Sequence, residues 1–138
     1  MSGILMRLYP WNWLPYLLLA VVGGWFAYDN FVPVLRMHGE LVSREPDAVV
    51  VRMWGSKLRE CRYVGILAYS RAGSDFYRDA TITRIDRAAT NDTKPRGAFD
   101  IGQWRIRPTT DATHVAVYAQ HACSHGDLRT TKIAEVAL

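Results

Sequence analysis

Charge is missing from one stretch of this chain, and catalytic signatures are missing from all of it. No Asp, Glu, Lys or Arg lies between Arg7 and Asp29, so every acidic residue, and every basic one but Arg7, falls in the remainder. No Gly-x-Ser-x-Gly, phosphate-loop, dinucleotide or His-Glu-x-x-His pattern occurs, and the sequence therefore predicts no enzyme, no catalytic residue and no cofactor. With only two cysteines, the paired knuckles of a structural zinc site are excluded as well. No long amphipathic helical pattern follows Pro33, which leaves strands as the material of the folded part.

What is present near the start is oily and aromatic. Leu8 to Tyr28 reads LYPWNWLPYLLLAVVGGWFAY, and about 20 uncharged residues in helical form match the roughly 30 Å of a bilayer's hydrocarbon. Trp11, Trp13, Trp25, Phe26 and Tyr28 flank the aliphatic centre, where indole and phenol rings favour the headgroup boundary. Pro10 and Pro15 are tolerated in a first turn, Asn12 can cap it, and Pro33 closes the other end. A cleaved signal peptide fits less well, because Trp25 and Phe26 stand directly after the available cleavage point. The expected organisation is a short cytoplasmic tail (1–7), a transmembrane helix with aromatic belts (8–32) and an extracytoplasmic domain (33–138). This implies a single pass through an inner membrane with the N-terminus inside and lipid as one partner. At 138 residues, the chain has room for one domain beyond such an anchor.

From Met37 onward, period-two runs alternate with turn-rich pieces such as REPD, GSKLRE and RAGSD. Strands are expected near 37–43, 48–54, 62–69, 80–85, 103–107, 114–120 and 132–138. In THVAVYAQ, Val115, Val117 and Ala119 share one face while His114, Tyr118 and Gln120 share the other. About seven strands in roughly a hundred residues suggest an antiparallel β-sandwich of immunoglobulin-like architecture, with a small closed barrel as the second choice. Cys61 begins the third run and Cys123 ends the sixth, so a domain on the oxidising side is expected to join them as a structural disulfide.

His121, Cys123 and His125 alternate along one strand, a donor set that suits zinc or copper. A disulfide-bonded sulfur cannot serve as a thiolate, and Gly126 and Asp127 turn the strand, so no metal is expected. The alternative is a metal-binding or hydrolytic envelope enzyme using His121 and His125, or a pH response if His38 and His114 join them. Trp104, Arg105 and Arg107 form a possible interaction patch. Their mixture suits single-stranded nucleic acid, but core packing of Trp104 and an extracytoplasmic location argue against that partner. Asp75 and Asp79 are expected to decorate a loop, and Asn91 begins an Asn-Asp-Thr sequon.

The anchor, VVVRMWGSKLREC, DIGQWRIRP, YAQHAC and the closing TKIAEVAL together resemble small membrane-anchored accessory proteins of tailed phages in layout. The resemblance implies a setting in the host envelope or the virion and no mechanism. The function expected is that of a membrane-anchored structural or interaction subunit for protein assembly, with other envelope or virion proteins as partners.

Overall fold

The computed structural model describes residues 13–73, 77–86 and 93–138, and it divides at Val32/Pro33 into two compact units. The first unit contains α1 (Leu14–Phe31), with Trp13 at its N-cap position and Pro15 in the first turn. Trp13 makes no side-chain capping bond, and Asn12, expected to cap the helix, lies outside the described residues. The helix ends where Val32 turns extended, the conformation that a following proline favours.

This helix corrects the expected transmembrane span. Its 18 residues rise about 27 Å, and its last turn includes Asp29 and Asn30, the latter donating a hydrogen bond back to the Phe26 carbonyl at 2.8 Å. Among the described residues, no helix is long and apolar enough to cross a membrane. The expected span 8–32 begins in residues that lie outside those described, as do the tail and Trp11. What α1 does show is an apolar surface ahead of that last turn: none of its residues is buried, and Trp25, Phe26 and Tyr28, with Trp13 at the N-cap, are all exposed.

The second unit holds seven antiparallel strands: β1 (Leu35–Arg44), β2 (Val49–Lys57), β3 (Arg62–Arg71), β4 (Tyr77–Arg84), β5 (Gly97–Arg107), β6 (His114–Ala122) and β7 (Leu128–Ala137). All seven expected strands exist. Their order is β1-β2-β5-β4-β3-β6-β7, so four strands and then three follow the order of a constant-type immunoglobulin sandwich. The departure lies at β4. Its first half pairs with β3, from Ala68 opposite Ala80 to Arg71 opposite Tyr77, and its second half pairs with β5, from Thr81 opposite Arg107 to Arg84 opposite Trp104. One strand thus joins what a sandwich would keep as two sheets, and the result is a single sheet curled into a near-barrel.

Bulges supply the curvature. Extra residues interrupt the ladders at Val42 in β1, Val64 in β3, Ile101 in β5 and Ile133 in β7, each bending its strand and increasing the local twist. The two ends of the sheet meet at Gly39 and Ala134, where a Cβ added to Gly39 would sit 2.3 Å from the Ala134 Cβ. Glycine is therefore what lets β1 approach β7. The enclosed core contains Val51, Met53, Ile106, Val115 and Val117, all essentially inaccessible, and Cys61 is bonded to Cys123 with their Cα atoms 4.4 Å apart.

Candidate functional site

The inward faces of β2, β3, β4 and β6 bring an unusual set of polar groups to one end of the barrel. Lys57 is the last residue of β2 and keeps the parity of Val49, Val51 and Met53, which directs it inward. It is only 4% exposed. Its ammonium donates to the carbonyl oxygens of Cys61 at 2.6 Å and Lys94 at 2.8 Å, and it forms no ion pair among the described residues. Burial lowers its pKa, a shift that nearby Glu60 opposes.

His121 reaches the same region from β6, where it continues the inward alternation of Val115, Val117 and Ala119 and is also 4% exposed. Its buried Nδ1 has no hydrogen-bond partner in the protein. Burial, and then the positive charge of Lys57, depress its pKa to about 4, so the ring is neutral at pH 7. Tyr63 stands opposite it in the β3–β6 ladder, with the two rings edge to face and their centroids 5.8 Å apart. The bulge at Val64 sets this register, and burial raises the Tyr63 pKa.

A second bulge builds the opposite wall. At Ile101, β5 carries one residue more than β2, with Gly102 at φ 80° and its N–H donating to Asp100 Oδ1 at 2.7 Å. The Ile101 carbonyl is thereby free of the ladder and accepts both Trp104 Nε1 at 2.9 Å and Arg84 Nη2 at 3.3 Å. The Arg84 guanidinium lies 5.3 Å from the Trp104 ring centroid, a cation–π arrangement.

These groups border a cavity of about 50 Å³. Among the described residues, Lys57, Tyr63, Arg84, Lys94 and His121 are its polar members, the rest of the lining is apolar, and no Asp or Glu lines it. The disulfide stands at the same end, since Cys61 supplies one acceptor for Lys57. In chemical terms the arrangement is a low-dielectric chamber carrying positive charge and an unused imidazole nitrogen. It offers hydrogen-bond donors from Lys57 and a neutral imidazole from His121.

Of the site residues expected from sequence, His121 and Trp104 line this cavity and the Cys61–Cys123 disulfide stands beside it, whereas Arg105 and Arg107 are not among its lining. Trp104 is buried with its indole satisfied, so it cannot stack on a nucleobase and does not share a surface with its neighbours. Arg105 makes a two-pronged contact with Glu45, both bonds at 2.9 Å, and Arg107 lies 3.1 Å from Asp47. The patch is thus a core residue flanked by two surface ion pairs. Cys123 is consumed by the disulfide, and β6 ends at Ala122, after which residues 124–126 form a 3-10 turn. This removes both the thiolate and the extended spacing on which the His121, Cys123, His125 triad depends. The side chain of His125 lies outside the described residues, as do Asp75 and Asn91, and Asp79 is exposed on β4. Among the described residues no three His, Cys, Asp or Glu side chains gather in a way that could hold a metal ion. His38 packs beside Trp54 on β1–β2, while His114 contacts Thr113 seven residues from His121 at the far end of β6, so neither joins His121. No family model, curated protein or solved structure matches the chain.

Proposed function

We propose that this protein is a membrane-associated structural or interaction subunit that holds a disulfide-closed near-barrel in an oxidising compartment. The single observation that carries the reading is α1: eighteen residues, apolar on every side ahead of Asp29 and Asn30 in its last turn, with none buried. A helix of that kind in water exposes a large apolar surface, and seating it in lipid removes the cost. The proposal is for a lipid-embedded helix rather than a span, because α1 is not long and apolar enough to cross a bilayer unaided. The disulfide supports the compartment, since such bonds persist where glutathione does not reduce them. The setting in an envelope or a virion belongs to the same proposal, as does the role in protein assembly.

Co-flotation of the full chain with liposomes tests the helix. Wild-type protein is expected to float, and a variant with Leu17→Glu, Val21→Glu and Phe26→Glu is expected to stay at the bottom of the gradient while keeping its disulfide. Equal flotation of both, or none of the wild type, contradicts the reading.

A further inference from the structure

We infer that the end of the barrel at which β1 begins is a docking surface for anionic lipid headgroups. The inference rests on the reading of α1 as seated in lipid, and three observations carry it. The first is where the chain enters. Only Val32, Pro33 and Val34 separate α1 from β1, and β1, β3, β5 and β7 all start at this end while β2, β4 and β6 finish there. A helix held in lipid therefore hands the chain to the barrel at this end and not at the other.

The second is charge. Counting the three terminal residues of each strand and the connecting segments, the described residues of this end include eight Lys or Arg and three Asp or Glu, whereas those of the opposite end include five of each. The adjoining residues 87–92 add one Arg and one Asp and leave the excess of five as it is. Ion pairs within an end do not change its net charge, so the asymmetry holds whatever the pairing. Arg36 and Arg62 are exposed here and enter no ion pair among the described residues. At the opposite end Arg105 and Arg107 are held by Glu45 and Asp47.

The third is apolar exposure. Among the described residues the barrel exposes four large apolar side chains, and three of them, Val64, Ile85 and Leu128, belong to this end. Arg62 and Leu128 occupy one row of the sheet, both opposite Ala122. Residues directly opposite share a face, so a cation and an exposed apolar side chain are presented together. An anionic bilayer surface meets both, since its headgroups attract basic side chains and its interface accepts apolar ones. A nucleic-acid backbone meets the charge, but it does not account for an excess placed where the chain arrives from α1.

The test is amide hydrogen exchange, read by mass spectrometry, of the full chain bound to vesicles of phosphatidylcholine alone and of phosphatidylcholine with phosphatidylglycerol. Exchange in residues 58–64 and 124–129 is expected to slow several-fold on the anionic vesicles and to recover in about 1 M salt, which screens charge beyond about 3 Å. Residues 45–48 and 108–113 are expected to exchange alike on both. Each basic side chain near such a surface is worth about fivefold, so Arg36→Gln with Arg62→Gln is expected to lower the docked-to-undocked ratio about twenty-fivefold. Arg44→Gln with Arg107→Gln should leave that ratio unchanged. Equal exchange on both vesicles, slowing at both ends, or equal effects of the two double variants overturns the inference. The same slowing produced by a single-stranded oligonucleotide on phosphatidylcholine vesicles assigns the end to nucleic acid and overturns it too. Wild-type protein alone decides all of these but the comparison of variants, so a variant that fails to fold does not remove the test. Failure of the chain to float with phosphatidylcholine vesicles counts against the seating of α1 and not against this surface, which the anionic vesicles then test by themselves.

Discussion

Tyr63 and His121 face each other across β3 and β6 with ring centroids 5.8 Å apart, and among the described residues neither ring has an acidic neighbour on the cavity that both line. The groups that surround His121 there are Lys57 from β2, Tyr63 from β3, Arg84 from β4, and Lys94. Burial and the positive charge of Lys57 both disfavour the imidazolium.

Acid should therefore destabilise the fold through His121. Above pH 6.5 the ring is neutral in both the folded and the unfolded chain and adds no slope. Between 6.5 and about 4 the unfolded chain takes up a proton that the folded one refuses, so unfolding becomes easier as pH falls, by up to about 3 kcal/mol below the folded pKa. Urea titrations at stepped pH are expected to show this slope in wild type and to lose it in His121→Gln. In Lys57→Met, NMR should find the His121 titration moved upward, because the neighbouring positive charge is gone.

Gly39→Ala should destabilise the seam between β1 and β7, because the new methyl would meet the Ala134 Cβ at 2.3 Å. The overpacking cost is about 1–3 kcal/mol. Pairing it with Ala134→Gly removes the opposing methyl, and the double variant is expected to regain part of that loss, a coupling that thermal melts of all four proteins would measure.

Reducing Cys61–Cys123, or replacing both with serine, should cost about 4 kcal/mol. The bond closes a loop across a separation of 62 residues, and the chain-entropy relation assigns that amount to a loop of this size. Denaturation with and without reductant checks it. Indistinguishable midpoints would contradict the pairing.

Trp104 and Arg107 should separate by an order of magnitude in their effect on stability. Trp104 is 7% exposed, and truncating a buried tryptophan to alanine typically costs about 3–5 kcal/mol. Arg107 and Asp47 are more than half exposed, and Arg107→Ala should stay within about 0.5 kcal/mol. Urea midpoints for the two variants test whether this segment is core or surface.

The strands and the disulfide were legible because period-two alternation and turn residues are local signals. His121 was legible in part, since its parity with Val115, Val117 and Ala119 places it inward. Lys57 was hidden. Gly55 and Ser56 read as the start of a turn, whereas β2 runs on through them to Lys57. A Cβ at Gly55 would come 2.2 Å from the Arg36 carbonyl oxygen, so this glycine serves close strand approach instead of a turn. Bulges were hidden as well, because one inserted residue reverses parity. Tyr63 and Ile66 both line the cavity although they are an odd number of positions apart, and Val64 is the reason. The joining of two sheets through β4 depends on pairings between strands distant in sequence, which alternation does not record. For α1 the apolar composition was plain, but its length was set by where the helix starts and by Asp29 and Asn30 in its last turn.

The most direct test of the account is peptide mass mapping of the native protein, recovered without reductant and alkylated at once, from separated membrane and soluble fractions. A Cys61–Cys123 linked peptide found in the membrane fraction is the predicted result. Alkylated thiols at both positions, or recovery of the chain from the soluble fraction alone, would contradict an oxidised barrel held at a membrane.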